Sequence, residues 1–485
     1  MQVLNAVFGI VLARKLGQAD YGLIGMLTIF TLIANSLQYS GFVTALTNKR
    51  DATHHDYNSV FWFNIGVSLL LYILFFFCAP LIADFFDEPI LTSLSRYYFL
   101  GFFIASFSIV PRAILFRQIK QRELAIMGTT SLLVSGIVGI GMAYNGMAYW
   151  GLATQTLTFN LMVSILSWVL SHFRPSWQFS MKPIKEMFGF SSKMLITNIF
   201  NQVNNNIFSL VLGKLYTKVE VGTYTQANKW NTMGASTITG MVQGVAQPAF
   251  VEVGDDPERL RRVFSKMLRF TCFVSFPVMF GLSLVAPEFI VTLIKEKWLP
   301  SAHLMQILCI GGAFLPIATL YFNLIISRGK SDVYMWNVIA QGCTILGAIL
   351  LIHGLAGNLH ITFHILHFTF QKITLMVLAY VLIVILWTGI RHRFLYQEIR
   401  YPFRSALRDM LPFLLTAAAA MVITHFVTQS IHTPLLLLIV RIPLAALLYL
   451  GILWLFGATI LKECIGYLFN RHFSTKTDRS SKNIL

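Results

Sequence analysis

Charge is what this sequence has least of. Asp, Glu, Lys and Arg make up 12% of its 485 residues, where a soluble domain carries about 25%. Acid is scarcer than base, 20 residues against 37, for a net charge of +17. No Asp or Glu falls at the middle of an apolar stretch, and the nearest, Glu288, follows Pro287 close to the end of one. A simple carboxylate proton relay inside a membrane is thereby disfavoured. Cysteine is sparse too. Of Cys78, Cys272, Cys309, Cys343 and Cys464, four lie in apolar stretches and none at pairing or metal-ligand spacing, so neither disulfides nor a zinc site is expected. No cleavable signal peptide, nucleophile–base pair or paired-carboxylate site can be read, and no enzyme or cofactor is expected. Gly329-Lys330-Ser331 imitates the end of a phosphate-binding loop, but Leu324 stands where the first Gly belongs and no strand precedes it. His360, His364 and His367 share a helical face without an acid or Cys to complete a metal site.

What is present is apolar. Hydrophobic residues reach 56%, with 41 Phe and 9 Trp, and mean hydropathy is +0.67. A spanning helix needs about 20 apolar residues. The apolar stretches are 1–13, 22–43, 60–83, 94–115, 125–144, 148–172, 191–213, 222–249, 263–294, 304–326, 333–354, 361–390, 409–429 and 434–457. This predicts an all-α polytopic membrane protein of about 14 transmembrane helices. Met1–Ala13 is too short to span, so the first helix is expected to be truncated.

The basic residues lie in short runs between these stretches, a pattern that sets membrane orientation rather than one that grips nucleic acid. One set of loops, with the tail, holds 27 of the 37 Lys and Arg, and the alternate loops hold seven: Arg14, Lys15, Arg96, Lys214, Lys218, Lys295 and Lys297. The richer set, which includes Arg391 and Arg393, is expected in the cytoplasm with both termini and the segment 173–190. Lys229, Lys372 and Arg441 remain, inside apolar stretches.

The halves echo one another. Leu12-Ala13-Arg14-Lys15-Leu16 leads to Asp20-Tyr21-Gly22, and two hundred residues later Leu212-Gly213-Lys214-Leu215-Tyr216 leads to Glu220-Val221-Gly222. Gly146 after the fifth stretch and Gly354 after the eleventh form a second echo. Transporters commonly carry such weak symmetry, with the substrate site between the repeats.

Polar residues inside spans mark candidate sites, because their burial in lipid is costly. The seventh stretch holds Asn198, Asn201, Gln202, Asn204, Asn205 and Asn206. Asn198, Asn201 and Asn205 share a face. They could line a hydrated cavity for sugar hydroxyls or hold helices together. The eighth holds Gln226, Asn228, Lys229, Asn231 and Thr232. Lys229 is the first candidate for an anionic group, against snorkelling, with Arg441 and Lys372 behind it. Arg14 and Lys214, at matching helix ends, could draw an anion to the outer mouth or offset a helix dipole.

Several motifs now resemble one family. Ala13-Arg14-x-Leu16-Gly17-x-x-x-Tyr21-Gly22 is similar to the opening motif of bacterial polysaccharide exporters. Gly41 to Leu46 with Asp56-Tyr57-Asn58-Ser59-Val60-Phe61-Trp62-Phe63-Asn64 resembles the loop between their second and third helices. Pro111-Arg112-Ala113 with Arg117, Glu296 to Pro300, and Gly329 to Asp332 are also similar. The chain thus resembles the lipid-linked oligosaccharide flippases of the multidrug/oligosaccharidyl-lipid/polysaccharide exporter superfamily, from about residue 10 to 355. Where relatives often carry a charged pair, this chain has Asn205 and Phe208, a departure that leaves the coupling ion unread from these positions.

The resemblance implies two six-helix lobes around a central cavity plus two extra helices. The expected layout is an N-lobe at 1–172, a cytoplasmic inter-lobe segment at 173–190, a C-lobe at 191–390, an extra pair at 391–458 and a cytoplasmic tail at 459–485. It implies flipping of an undecaprenyl-diphosphate-linked oligosaccharide across the bacterial cytoplasmic membrane for capsule, exopolysaccharide or O-antigen. Expected partners are that lipid, membrane lipids, a coupling ion (Na+ or H+) and polysaccharide polymerase machinery. The alternatives are a multidrug or small-cation exporter of the same superfamily, which should show buried carboxylates, and a membrane glycosyltransferase or polymerase, which should show a large outer loop or a carboxylate cluster.

Overall fold

The structure is a computed structural model. It describes residues 2–38, 53–118, 120–177, 179–181, 184–185, 199–200, 202–203, 206–253, 256–328, 330–358, 372–458, 460–461 and 463. The described elements are helices: α1 (Gln2–Lys15), α2 (Gln18–Gln38), α3 (His54–Phe86), α4 (Leu91–Arg117), α5 (Gln121–Tyr144), α6 (Ala148–Ser171), α7 (Asn206–Leu215), α8 (Lys218–Val253), α9 (Pro257–Leu284), α10 (Ala286–Ile294), α11 (Leu299–Gly312), α12 (Leu315–Ser327), α13 (Ser331–Asn358), α14 (Lys372–Ile399), α15 (Phe403–Val427) and α16 (Pro434–Leu455).

Among the described residues, 11 helices are long and apolar enough to cross a membrane. The three expected spans outside that set have separate reasons. α1 has 14 residues, and the seventh stretch is described only in part. α8 is 36 residues long, but its amides, threonines and lysines dilute its hydropathy. The ninth expected span divides at Val285 into α9 and α10, with Pro287 at the start of the second piece. The tenth divides at Ala313–Phe314, before Pro316. A proline lacks the N–H that an uninterrupted helix would need there.

The chain forms two compact units, one of residues 1–226 with 335–354 and one of 227–334 with 355–485. In the first, α6 packs on α4 through a polar ladder. Asn160, Ser164 and Trp168, spaced by four, donate to the carbonyls of Gly101, Ile104 and Phe107 at 3.0, 2.9 and 2.7 Å. Such bonds join helices where water cannot compete. The start of α3 explains the motif at 56–64. Thr53 and Asp56 form a reciprocal capping box, and Arg117 donates to the Tyr57 hydroxyl at 2.8 Å. Asn58 and Trp62 donate to the Ser176 hydroxyl and carbonyl at 2.8 Å each. Trp62 also stacks on Trp177 at 4.5 Å, and Phe61 packs with Phe173 and Ile184. The segment after α6 is therefore pinned to α3.

The first repeat echo has a structural basis. The Gly17 N–H donates to Asp20 at 2.8 Å, and the Thr217 N–H donates to Glu220 at 3.0 Å. Each acid satisfies a donor at the start of its helix. The two starts then interlock: a Cβ on Gly22 would strike the Lys218 carbonyl, and one on Gly222 would strike the Gln18 carbonyl. Only glycine permits backbones this close. The second echo does not hold. Gly146 takes φ +80° just past α5, whereas Gly354 lies inside α13, with nothing within 4 Å of where its Cβ would be.

Candidate functional site

α8 carries the polar residues that the sequence singled out, and several of their buried side-chain atoms have no partner among the described residues. Gln226 is fully buried, and neither its amide nitrogen nor its amide oxygen has a partner. One turn on, Trp230 and Asn231 are buried with Trp230 Nε1 and Asn231 Oδ1 unpartnered. Trp230 is braced edge-to-face by Phe289 at 5.0 Å. Asn231 fits against Gly312, where a Cβ would collide with its amide oxygen. Lys229 is half-buried among them and forms no ion pair or hydrogen bond among the described residues. It lies eleven residues into α8, about 16 Å along the helix. Unpaired buried polar atoms are rare in folded proteins, and each calls for a reason. Here four occur within six residues.

The other candidate cations differ. Arg441, buried in α16, donates through Nη1 to Glu288 Oε1 at 2.6 Å and through Nε to Thr428 at 2.9 Å. Both charged side chains are largely covered, at 7% and 14% exposure. Lys372 is exposed at the first residue of α14. Lys214 pairs with Asp87 at 3.0 Å and rests against Phe85, while the neighbouring Lys218 pairs with Glu88 at 3.0 Å. Arg14 is exposed in the last turn of α1. Asn198, Asn201 and Asn205 lie outside the described residues, as do His360, His364 and His367.

Two groups were not recognised in the sequence. Arg391 was counted as a loop cation, but α14 continues to Ile399 and buries it over the Phe322 ring at 4.5 Å. Its neighbour His392 shares a hydrogen bond with the Tyr321 hydroxyl at 3.2 Å. The basic run there reads as a loop because charge ends hydropathy, not because the helix stops. Asp409 opens an expected span and gives no local signal of its partners. It accepts from Arg269 at 2.8 Å and from the Ser265 and Tyr401 hydroxyls.

Likeness to known proteins is consistent along the chain. It is 23% identical over 410 residues to the lipopolysaccharide biosynthesis protein WzxC of Escherichia coli (strain K12), covering 83% of this chain and 81% of that one. It is 25% identical over 330 residues to the teichuronic acid biosynthesis protein TuaB of Bacillus subtilis (strain 168), covering 67% and 66%. Among solved structures, it matches the lipid II flippase MurJ in an inward closed conformation with a TM-score of 0.72 at 16% identity, over 96% and 97% of the two chains. It matches an inward-facing multidrug resistance MATE family transporter with a TM-score of 0.64 at 14% identity, over 82% and 95%. These two likenesses place the fold among multi-pass membrane transporters. Residues 11–303, more than half of the chain, match the family described as polysaccharide biosynthesis protein, and the chain belongs to that family.

Proposed function

We propose that the protein flips an undecaprenyl-diphosphate-linked oligosaccharide from the inner to the outer leaflet of the bacterial cytoplasmic membrane, for capsule, exopolysaccharide or O-antigen. The observation that carries this is the run of unsatisfied polar groups on α8, with an unpaired lysine at its centre. A sugar diphosphate crossing a membrane must exchange its water for other donors and acceptors. Amides suit hydroxyls, and an ammonium suits a diphosphate. Lys229 is the cation proposed for the diphosphate, with Gln226 beside it and Asn198, Asn201 and Asn205 as the sugar-facing wall. Arg441 ranks lower because Glu288 already neutralises it. Lys372 and Arg14 rank lower because they are exposed, and Lys214 because Asp87 holds it.

The family match and the likeness to a lipid II flippase support this cargo. The interlock of Gly22 and Gly222, at equivalent points of the two repeats, supports alternating access: helix starts that meet at glycines can part there without unpacking a side chain at that point. We further propose cytoplasmic termini, from the loop charges. The multidrug reading is weaker, since Glu288 and Asp409, acids on spanning helices or beside them, already face Arg441 and Arg269.

The test is reconstitution in proteoliposomes with a fluorescent lipid-diphosphate oligosaccharide under imposed Na+ or H+ gradients. Expected is protein-dependent loss of the label from the inner leaflet. Transport of organic cations with no movement of the lipid would replace this reading with the multidrug one.

A further inference from the structure

The second unit holds a cleft of about 1100 Å³. Its walls are the first turns of α9 and α15 and the chain just past α16. The lining is mixed: Arg261, Arg262, Lys266, Arg269 and Arg408 stand with Phe413, Leu415, Leu453, Phe456 and Ile460. Leu415 and Phe456 are 59% and 83% exposed, so apolar surface of the lining stands open.

The charges of the lining are not balanced. Lys266 pairs with Glu463 at 2.7 Å, and Arg269 pairs with Asp409. Arg261 rests on the ring of Tyr401, but among the described residues neither it nor Arg262 nor Arg408 meets a carboxylate within ion-pair distance. The remaining acid of the cleft, Glu258, has no cation at that distance among them either. Three arginines therefore face one acid. The floor beneath them is fixed rather than adaptable. Asp409 is buried and accepts from Arg269 Nε at 2.8 Å and from the Ser265 and Tyr401 hydroxyls. Burial, and then the bond to Asp409, raises the Tyr401 phenol, so it stays a donor. Arg269 is held through Nε alone, which leaves its terminal N–H groups available to an anion at the cleft.

We propose that this cleft binds an anionic glycerophospholipid of the leaflet facing the starts of α9 and α15, with its phosphate among Arg261, Arg262 and Arg408 and its acyl chain against Phe413, Leu453 and Phe456. No water-soluble anion needs the apolar lining, and no neutral lipid needs the arginines. Basic clefts between helices at the cytoplasmic surface are a recurring means of holding such headgroups. Assigning the leaflet as cytoplasmic rests on the proposed orientation; the site itself does not.

The experiment is native mass spectrometry of the full chain released from detergent, titrated with phosphatidylglycerol, phosphatidylcholine or inorganic phosphate. Wild type should retain phosphatidylglycerol over phosphatidylcholine, and excess inorganic phosphate should not displace it. The Arg261→Ala/Arg262→Ala/Arg408→Ala variant should lose at least about tenfold in phosphatidylglycerol affinity, and Arg→Lys at the same positions should keep most of it. Arg122→Ala, an exposed cation elsewhere, should change nothing. Unchanged retention in the triple alanine variant at wild-type melting temperature overturns the proposal. So does equal retention of the two lipids, displacement by inorganic phosphate, or preferential displacement by a polyprenyl diphosphate, which would make the cleft a cargo site. If the triple alanine variant does not fold, the lysine variant and the lipid comparison in wild type still decide. Labelling of a single Cys at Ser474 by an impermeant reagent in intact cells would move the leaflet and leave the lipid preference standing.

Discussion

Arg441 and Lys229 are both cations within helices of the second unit, and their surroundings are opposite. Arg441 has an acid at 2.6 Å and a hydroxyl at 2.9 Å. Among the described residues Lys229 has neither, and buried polar atoms of Gln226, Trp230 and Asn231 beside it are unpaired as well. A charge buried with its partner supports the fold only while both remain. A charge kept without one costs stability that evolution would remove unless a ligand used it. The first pattern marks architecture and the second marks a place where something binds.

The largest effect should come from breaking the satisfied pair. Arg441→Met leaves Glu288 buried and uncompensated, at a cost of about 3–5 kcal/mol. Melting of the purified protein should shift down sharply, and adding Glu288→Met should recover most of the loss. Melting of the single variant at the wild-type temperature would undo the contrast from the Arg441 side. Lys229→Ala should behave in reverse. Melting should hold or rise, while flipping should fall by about tenfold or more, the range of a hydrogen bond to a charged group. Lys229→Arg keeps the charge with another geometry and should retain partial activity. Surface polysaccharide in a host lacking its own flippase is the readout, with protein levels matched; normal export by the alanine variant makes Lys229 a snorkelling lysine.

Gln226→Leu sharpens the comparison without changing charge. An unpartnered buried amide costs about 1–3 kcal/mol, so the leucine should stabilise the protein or leave it unchanged while slowing transport several-fold. A strong drop in melting temperature would show that the amide has a structural partner after all. The smallest effect belongs to Lys214→Ala. Its pair with Asp87 is open to solvent, 41% and 79% exposed, and such pairs contribute under about 1 kcal/mol. Transport and melting should both stay near wild type, and a loss of transport alone would restore Lys214 as a cation of the outer mouth.

The all-α membrane fold was legible because hydropathy is a property of consecutive residues. The repeat at Gly22 and Gly222 was legible for a similar reason: each copy carries its own acid three residues into the turn, Asp20 for Gly17 and Glu220 for Thr217. The continuation of α14 through Arg391 was not, since a buried arginine over an aromatic ring looks like a loop cation until Phe322 is placed beside it. α8 shows the converse. Its polarity was visible, but whether Gln226 and Asn231 were paired was not, because that depends on what packs against them.

The sequence by itself determined that the chain lies in a membrane, where most helices fall, and which residues are too polar for lipid. Each follows from composition over a window of neighbours. Only the tertiary structure decided which of those polar residues are satisfied. Glu288 and Arg441 are 153 positions apart, and Arg269 and Asp409 are 140. A charge carries no mark of its partner along the chain, and the low dielectric that makes pairing decisive exists only once the helices have packed.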